Sequence, residues 1–282
     1  MEGAMSSSPN SRIALVTGGN KGIGLEVCKQ LASNGITVVL TARDQARGTS
    51  AVEELKRLGF SDVTFHQLHI TDALSIARLA DFLKNRFERL DILVNNAAIG
   101  GTERPPVFGS IPVDRKVQQF DGMDRNQRLE WLLKNCRETY QATKQCLETN
   151  YYGTKQQFRN EELTQELNDI DQLTEKRLDE LLDMFLKDFE AGRVQVRGWP
   201  AEFPAYKVAK AAMNAYSRIL ARRHPALCVN CADPGFTSTD MTLNTGLLTP
   251  EEGARNIVKV ALLPDGELTG AYFQEGQQAS FL

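Results

Sequence analysis

The stretch Thr17–Gly24, reading Thr-Gly-Gly-Asn-Lys-Gly-Ile-Gly, restricts this chain more than any other part of it. It follows directly on the apolar run Ile13-Ala14-Leu15-Val16. A buried strand that runs into a glycine turn and then a helix start makes a phosphate cradle. Gly18 permits the sharp turn, Gly22 permits backbone to approach a pyrophosphate, and Gly24 permits close packing of helix on strand. The unpaired N–H groups and positive dipole end of the helix then face the anion. No Gly-Lys-Ser/Thr closes the stretch, so it is not a P-loop.

The rest of the chain alternates strand and helix. The periodicity predicts a helix over Leu25–Ser33 ended by Asn34-Gly35, and a strand over Ile36–Thr41. A helix over Thr49–Leu58 ends at Gly59, a strand covers Val63–Leu68, and Thr71-Asp72 opens a helix through Phe87. A fourth strand, Asp91–Val94, ends in Asn95-Asn96-Ala97-Ala98. This rhythm is that of an α/β, doubly wound parallel sheet with ligands at the carboxyl ends of its strands. Residues 100–125 read as a surface loop and Cys136–Gln156 as a helix. Gln157–Arg193 reads as polar and helical, with Leu178, Leu181, Leu182, Phe185 and Phe189 as an amphipathic stripe. The next strand is Leu227–Ala232, and no buried strand can be found before it.

With 282 residues, 41% hydrophobic and 24% charged, and a net charge of −3, the chain has material for a sizeable core and no affinity for polyanions. Nucleic-acid and membrane partners are therefore not expected, and a cytoplasmic location is. Residues 1–11 read as a flexible tail without the apolar core of a signal peptide. Five scattered cysteines fit reduced thiols. Cys228 and Cys231, three apart on the expected strand, would face opposite sides, so they read as packing residues and no metal site is expected.

Tyr206 and Lys210 stand at i and i+4 of the run Ala-Tyr-Lys-Val-Ala-Lys and so share a helix face. A phenol is a poor acid near neutrality, and a neighbouring ammonium moves its pKa toward the working range. The pair can therefore give a proton to a carbonyl while a hydride arrives.

Taken with the Pro234-Gly235 turn, these motifs resemble the short-chain dehydrogenase/reductase family, within it the monomeric NADPH-dependent carbonyl reductase branch that includes plant salutaridine and menthone reductases. The similarity runs from Arg12 to about Phe273 and rests on TGGNKGIG, VVLTARD, LVNNAA, TNYYGT, the insert ending in GWP, YKVAK and PGFTSTDM. It implies a Rossmann-like fold, one domain over 12–282 with a helical insert at about 160–200. It also implies reduction of a ketone or aldehyde carbonyl, NADPH as cofactor, a small-molecule carbonyl substrate and a monomer. Carried over, Tyr206 is the general acid, Lys210 binds the nicotinamide ribose and tunes Tyr206, and Asn150 holds a water in the proton relay. The cofactor would lie along Thr17, Gly18, Asn20, Lys21, Gly22, Ile23 and Gly24, beside His69 and Ile70. Asn96 and Ala97 would lie against its ribose, and Pro234, Gly235 and Thr237 against the nicotinamide amide. Arg43, where NAD enzymes carry a carboxylate, can pair with a 2′-phosphate, with Lys21 as a second charge and Asp44 as a competitor for Arg43.

Three departures accompany the resemblance. Between Asn150 and Tyr206 there is no serine, only Thr154, Thr164 and Thr174. The strand that precedes the family's catalytic serine is missing, which implies an internal gap near Gln156-Gln157. His69 stands where the family has an acid. The gap leaves two closures open: direct pairing of the fourth strand with Leu227–Ala232, or recruitment of Arg193–Arg197. It also leaves a second reading, a catalytically impaired NADPH-binding pseudoenzyme or a non-functional splice or gene-model variant.

Overall fold

The structure, a computed structural model, describes residues 11–103, 120–150, 172–264, 266 and 268–280. They form two compact units, the first reaching Ala97 and including Leu248–Ala261, the second comprising Ala98–Leu247 and the chain from Leu262 on.

In the first unit four parallel strands line up as β3-β2-β1-β4, with β1 Ile13–Val16, β2 Thr37–Ala42, β3 Val63–Gln67 and β4 Ile92–Val94. Ile13 stands opposite Thr37 and Ala14 opposite Ile92. Every residue of β1 and β2 is buried, as a parallel sheet covered on both faces requires. Helix α1, Gly22–Ser33, starts inside the glycine stretch, three residues earlier than the periodicity suggests. Helix α2, Gln45–Arg57, also starts early, because the Asp44 carboxylate accepts the Arg47 N–H and caps it. Asp72 caps α3, Ala73–Phe87, whose Leu79 packs with Ile13, Leu15, Val39 and Leu68. A late helix, α8, Pro250–Ala261, packs on α1, and the Gln30 amide donates to the Glu251 carbonyl at 2.9 Å.

The second unit holds α4 Arg125–Asn135, α5 Tyr140–Asn150, α6 Glu175–Glu190, α7 Pro204–Arg223 and a three-stranded sheet. That sheet is β5 Cys231–Asp233, parallel to β6 Tyr272–Gln274, with β7 Gln277–Ala279 returning through a turn in which Glu275 and Gly276 both have positive φ. The amphipathic stripe is a packed face: Leu178, Leu181, Leu182 and Phe185 are buried with Trp199 against Cys146 and Leu147 of α5 and Ala205, Ala212 and Ile219 of α7. Asp188 anchors this layer. Its buried carboxylate accepts the Trp199 indole N–H at 3.0 Å and faces the Arg193 and Arg197 guanidinium groups.

Several expectations need correction. Residues 136–139 are not helical: Arg137 pairs main chain to main chain with Glu103, so α5 begins at Tyr140. The strand expected over Leu227–Ala232 is reduced to Cys231–Asp233. Beside one main-chain bond, from Gly270 N to the Val229 carbonyl at 2.7 Å, its first half is held by side chains, with Thr269 Oγ accepting from Val229 N and Asn230 bonding Leu268 and Ala271. Cys228 is accordingly exposed and off the strand, while Cys231 is buried. Neither imagined closure of the gap occurs among the described residues. β4 pairs only with β1, β5 only with β6, and Arg193–Arg197 is a set of turns with Val196 87% exposed. The tail residues 1–10, loop residues 104–119, and Thr154, Gln156, Gln157 and Thr164 lie outside the described residues.

Candidate active site

The glycine turn of the first unit is tied down on both sides. The Thr17 hydroxyl accepts the N–H groups of Asn96 and Ala97, each at 3.0 Å. The Asn96 amide returns two bonds, to the carbonyls of Thr17 at 2.9 Å and Gly18 at 3.2 Å. Gly19 donates to Thr41 at the end of β2. Gly18 and Gly22 both have positive φ, near +65° and +54°. A Cβ on Gly24 would sit 2.4 Å from both the Gly18 carbonyl oxygen and the Asn96 amide nitrogen. Gly24 is thus required by packing, as the sequence suggested.

What this turn presents fits a dinucleotide phosphate. Lys21, the N-cap residue of α1, makes no side-chain cap bond to it, so the first-turn N–H groups, with Asn20 and Ile23 alongside, are of the kind that takes an anion. At the end of β2, Arg43 is exposed and has no carboxylate within ion-pair distance among the described residues. The acid next to it, its expected competitor Asp44, is committed to the cap of α2 and to Arg47. His69 is exposed; its N–H donates to the buried Ser75 hydroxyl at 2.9 Å and its carbonyl accepts from Asp72. Ile70, beside it, packs on the cluster around Leu79.

In the second unit α7 carries Tyr206 and Lys210 on one face, with the Lys210 ammonium 5.7 Å from the centre of the Tyr206 ring. Burial pulls the Lys210 pKa below the ordinary lysine value; Cys231, Asp233 and Cys146 oppose that fall. Asn150, at the end of α5, is buried and grips Ile99: its Oδ1 accepts the Ile99 N–H at 2.6 Å and its Nδ2 donates to the Ile99 carbonyl and, at 3.2 Å, to Cys146. Its side-chain amide is therefore occupied by protein. After β5 the chain turns at Pro234-Gly235, Gly235 having φ near +86°. The Asp233 carboxylate fixes that turn by accepting the Gly235 N–H at 2.9 Å, and takes the Tyr272 hydroxyl at 3.3 Å. Thr237 is buried, donates to the Gly235 carbonyl and accepts through its own carbonyl from Thr242. Thr174, the one described threonine between Asn150 and Tyr206, caps α6 with its hydroxyl.

Sequence reasoning missed three residues here. Asp233 could have been suspected from its place before Pro-Gly. Ser75 carries no pattern of its own. Glu138 reads in sequence as a solvated residue before a helix. Its carboxyl is in fact half-buried near α7, and burial pushes its pKa up to about 7, against the Ala205 N–H and Lys207, which lower it.

Comparison with known proteins places these motifs in context. A protein-family model described as short chain dehydrogenase matches residues 12–154. Short-chain dehydrogenase/reductase 1 of Saponaria officinalis is 39% identical over 313 positions that take in 100% of both chains. Since this chain has 282 residues, at least 31 of those positions have no counterpart in it. Carbonyl reductase [NADPH] 1 of Pongo abelii is 37% identical over 271 residues, 91% of this chain and 93% of its own. Among solved structures, salutaridine reductase from Papaver somniferum superposes with a TM-score of 0.82 at 38% identity, covering 93% of this chain and 99% of its own.

Proposed function

This chain belongs to the short-chain dehydrogenase/reductase family, and from that membership we propose that it reduces a ketone or aldehyde carbonyl of a small molecule to an alcohol with NADPH. The observation that carries the reading is the Tyr206–Lys210 pair on one face of α7, the ammonium 5.7 Å from the phenol ring. NADPH, when bound, supplies the hydride. Tyr206 gives its phenolic proton to the carbonyl oxygen, and the positive charge of Lys210 stabilises the phenolate left behind. Asn150, with its amide committed to Ile99, acts by fixing the end of α5; any water of the relay would be held by its main chain.

Arg43, which has no carboxylate within ion-pair distance among the described residues, and the commitment of Asp44 to the cap of α2 support NADPH over NADH. The Pongo abelii relative is itself named for NADPH. The α6 layer over α5 and α7 supports a monomer, since it covers the helices through which most of the family pairs. Residues 12–282 are read as one dinucleotide-binding domain with the insert at about 160–200. Among the described residues no helix is long and apolar enough to cross a membrane; a cytoplasmic location remains part of this proposal. The positions missing against the Saponaria relative are assigned to the segment near Gln156, which would have carried the fifth strand and the serine. Losing one such donor lowers the rate by about 10²–10³, so the expected enzyme is slow.

Two measurements test the reading. Thermal unfolding with NADPH at about 100 times its dissociation constant should show a gain of about 2.7 kcal/mol, with a smaller gain for NADH. Carbonyl-dependent NADPH oxidation should vanish in Tyr206→Phe. Turnover that survives this change overturns the catalytic assignment, and a transition that NADPH raises without any turnover favours the pseudoenzyme.

A further inference from the structure

The half-buried guanidinium of Arg128, on α4, donates to four main-chain carbonyls. Nε bonds the Met123 carbonyl at 3.0 Å and Nη2 the Phe120 carbonyl at 3.0 Å. Nη1 reaches a distant part of the chain, the carbonyls of Gly246 at 3.0 Å and Thr245 at 3.4 Å. A planar fork with donors on three nitrogens can span two segments in this way, where the point charge of a lysine cannot. The helix itself has no need of it. Arg125 and Arg128 stand at the first and fourth positions of α4, the end where the helix dipole disfavours a cation. The gain therefore lies in what Arg128 holds.

On one side it holds the 242–247 segment, which is bonded to the turn after β5. The Leu247 N–H donates to the Phe236 carbonyl at 2.7 Å and the Thr242 hydroxyl to the Thr237 carbonyl at 2.8 Å. The Thr245 hydroxyl donates to the Thr242 carbonyl at 2.6 Å. Gly246 lies so close that a Cβ there would stand 2.0 Å from the Thr237 carbonyl carbon. Gly246 cannot shift far without moving Thr237.

On the other side, Phe120 and Met123 belong to an apolar cluster. Phe120, Leu132 and Leu243 are buried together, and Phe203 and Phe236 pack against them. Phe236 is part of the turn after β5, and Phe203 is the N-cap residue of α7, three residues before Tyr206. Phe203 has φ near +46°, a conformation costly for a bulky residue that persists where the surroundings over-determine it. Its carbonyl accepts the Lys207 N–H at 3.0 Å and so begins the helix. One cluster thus meets both the start of the Tyr206 helix and the turn that bears Thr237.

We propose that Arg128 is a positioning residue for the reaction: by tying Phe120 and Met123 to Thr245 and Gly246, it fixes the Gly235–Thr237 turn relative to the start of the Tyr206 helix. This rests on the reductase reading above, in which Tyr206 gives the proton and that turn lies against the nicotinamide amide. Proton and hydride must arrive at the two ends of one carbonyl, so the spacing of these two elements sets the rate. The glycine turn and Arg43 read the phosphates on the same reading, so affinity for NADPH depends little on Arg128.

The test compares wild type, Arg128→Ala and Arg128→Lys in kcat, in KM for NADPH and in thermal midpoint. Both variants should lose about 10²-fold in kcat with KM for NADPH little changed. Arg128→Lys separates fork from charge, since its ammonium keeps the charge and cannot reach both segments. Propylguanidinium added to Arg128→Ala should return part of the lost kcat, because the four carbonyls are left to receive it. A folded Arg128→Lys with the wild-type kcat overturns the proposal, and so does a loss that appears wholly in KM. Should Arg128→Ala not fold, Arg128→Lys decides by itself. Hydrogen exchange needs neither turnover nor cofactor and so separates this proposal from the reductase reading. In a folded variant the Leu247 and Lys207 amides should both exchange faster than in wild type, and an inactive wild type that shows this fails the reductase reading and keeps the coupling. Faster exchange at one of them alone, or at neither, overturns the coupling.

Discussion

Asn150 holds both main-chain polar groups of Ile99 with one side chain, accepting its N–H at 2.6 Å and donating to its carbonyl. This joins the end of α5 to the chain just past Ala98. Asn150→Ala leaves the part-buried N–H and C=O of Ile99 without these partners, which should cost about 1–3 kcal/mol. Chemical denaturation measures that loss. A variant as stable as wild type would show that water replaces the amide.

Gly24 and Gly35 make a matched pair for testing the cradle. Gly24→Ala puts a methyl 2.4 Å from the Gly18 carbonyl and the Asn96 amide, so it should displace the turn and abolish NADPH binding. Gly35→Ala meets nothing within 4 Å and suffers only its positive φ, a cost of about 1 kcal/mol. Calorimetric titration should find NADPH affinity lost in the first and retained in the second.

On the proposed reading, Arg43 sets the choice of cofactor. Removing a charge-assisted contact to a 2′-phosphate should weaken NADPH binding roughly 10–100-fold and leave NADH binding unchanged. Competitive binding of the two cofactors to Arg43→Ala measures this directly. Equal weakening of both would assign Arg43 to the shared part of the cofactor.

Asp91 gives a pH dependence of known sign. Burial alone would raise its pKa, but the Ile13 N–H at 2.7 Å and Arg89 at 2.9 Å, with Arg12 nearby, hold it below the ordinary aspartate value. A carboxyl depressed in the folded state adds stability above its unfolded pKa and loses it as pH falls through the folded one. Asp91→Asn should therefore be less stable than wild type at neutral pH. The difference should shrink as pH falls below the ordinary aspartate range and through the depressed folded-state value. A gap that persists in acid would mean the amide fails by geometry and not by charge.

Much of this was readable in advance where chemistry demanded a local pattern. The glycine turn, the Tyr206–Lys210 face and the leucine–phenylalanine stripe of α6 each declare themselves within a few residues. Helix α4 could have been found too, since Asp124 and Gln127 form a reciprocal capping box at the expected spacing. Glu138 could not, because its burial depends on α7, which comes far along the chain. The shortness of β5 was hidden for a like reason: Asn230 and Thr269 replace most of its ladder with side-chain bonds that leave the apolar pattern intact. The missing strand is an expectation of the sequence pattern, and its place falls among residues outside those described; among the described residues β4 and β5 share no neighbour.

Helix α8 completes the unit that carries the glycine turn, covering α1 through contacts such as Gln30 with Glu251. The first ninety-odd residues leave the ribosome long before this cover is made. Nascent cradle must therefore wait, with one flank of α1 bare, until translation is almost finished. Premature termination between Ala97 and Leu248 would release a product that has the whole glycine turn and still lacks the lid of its own core.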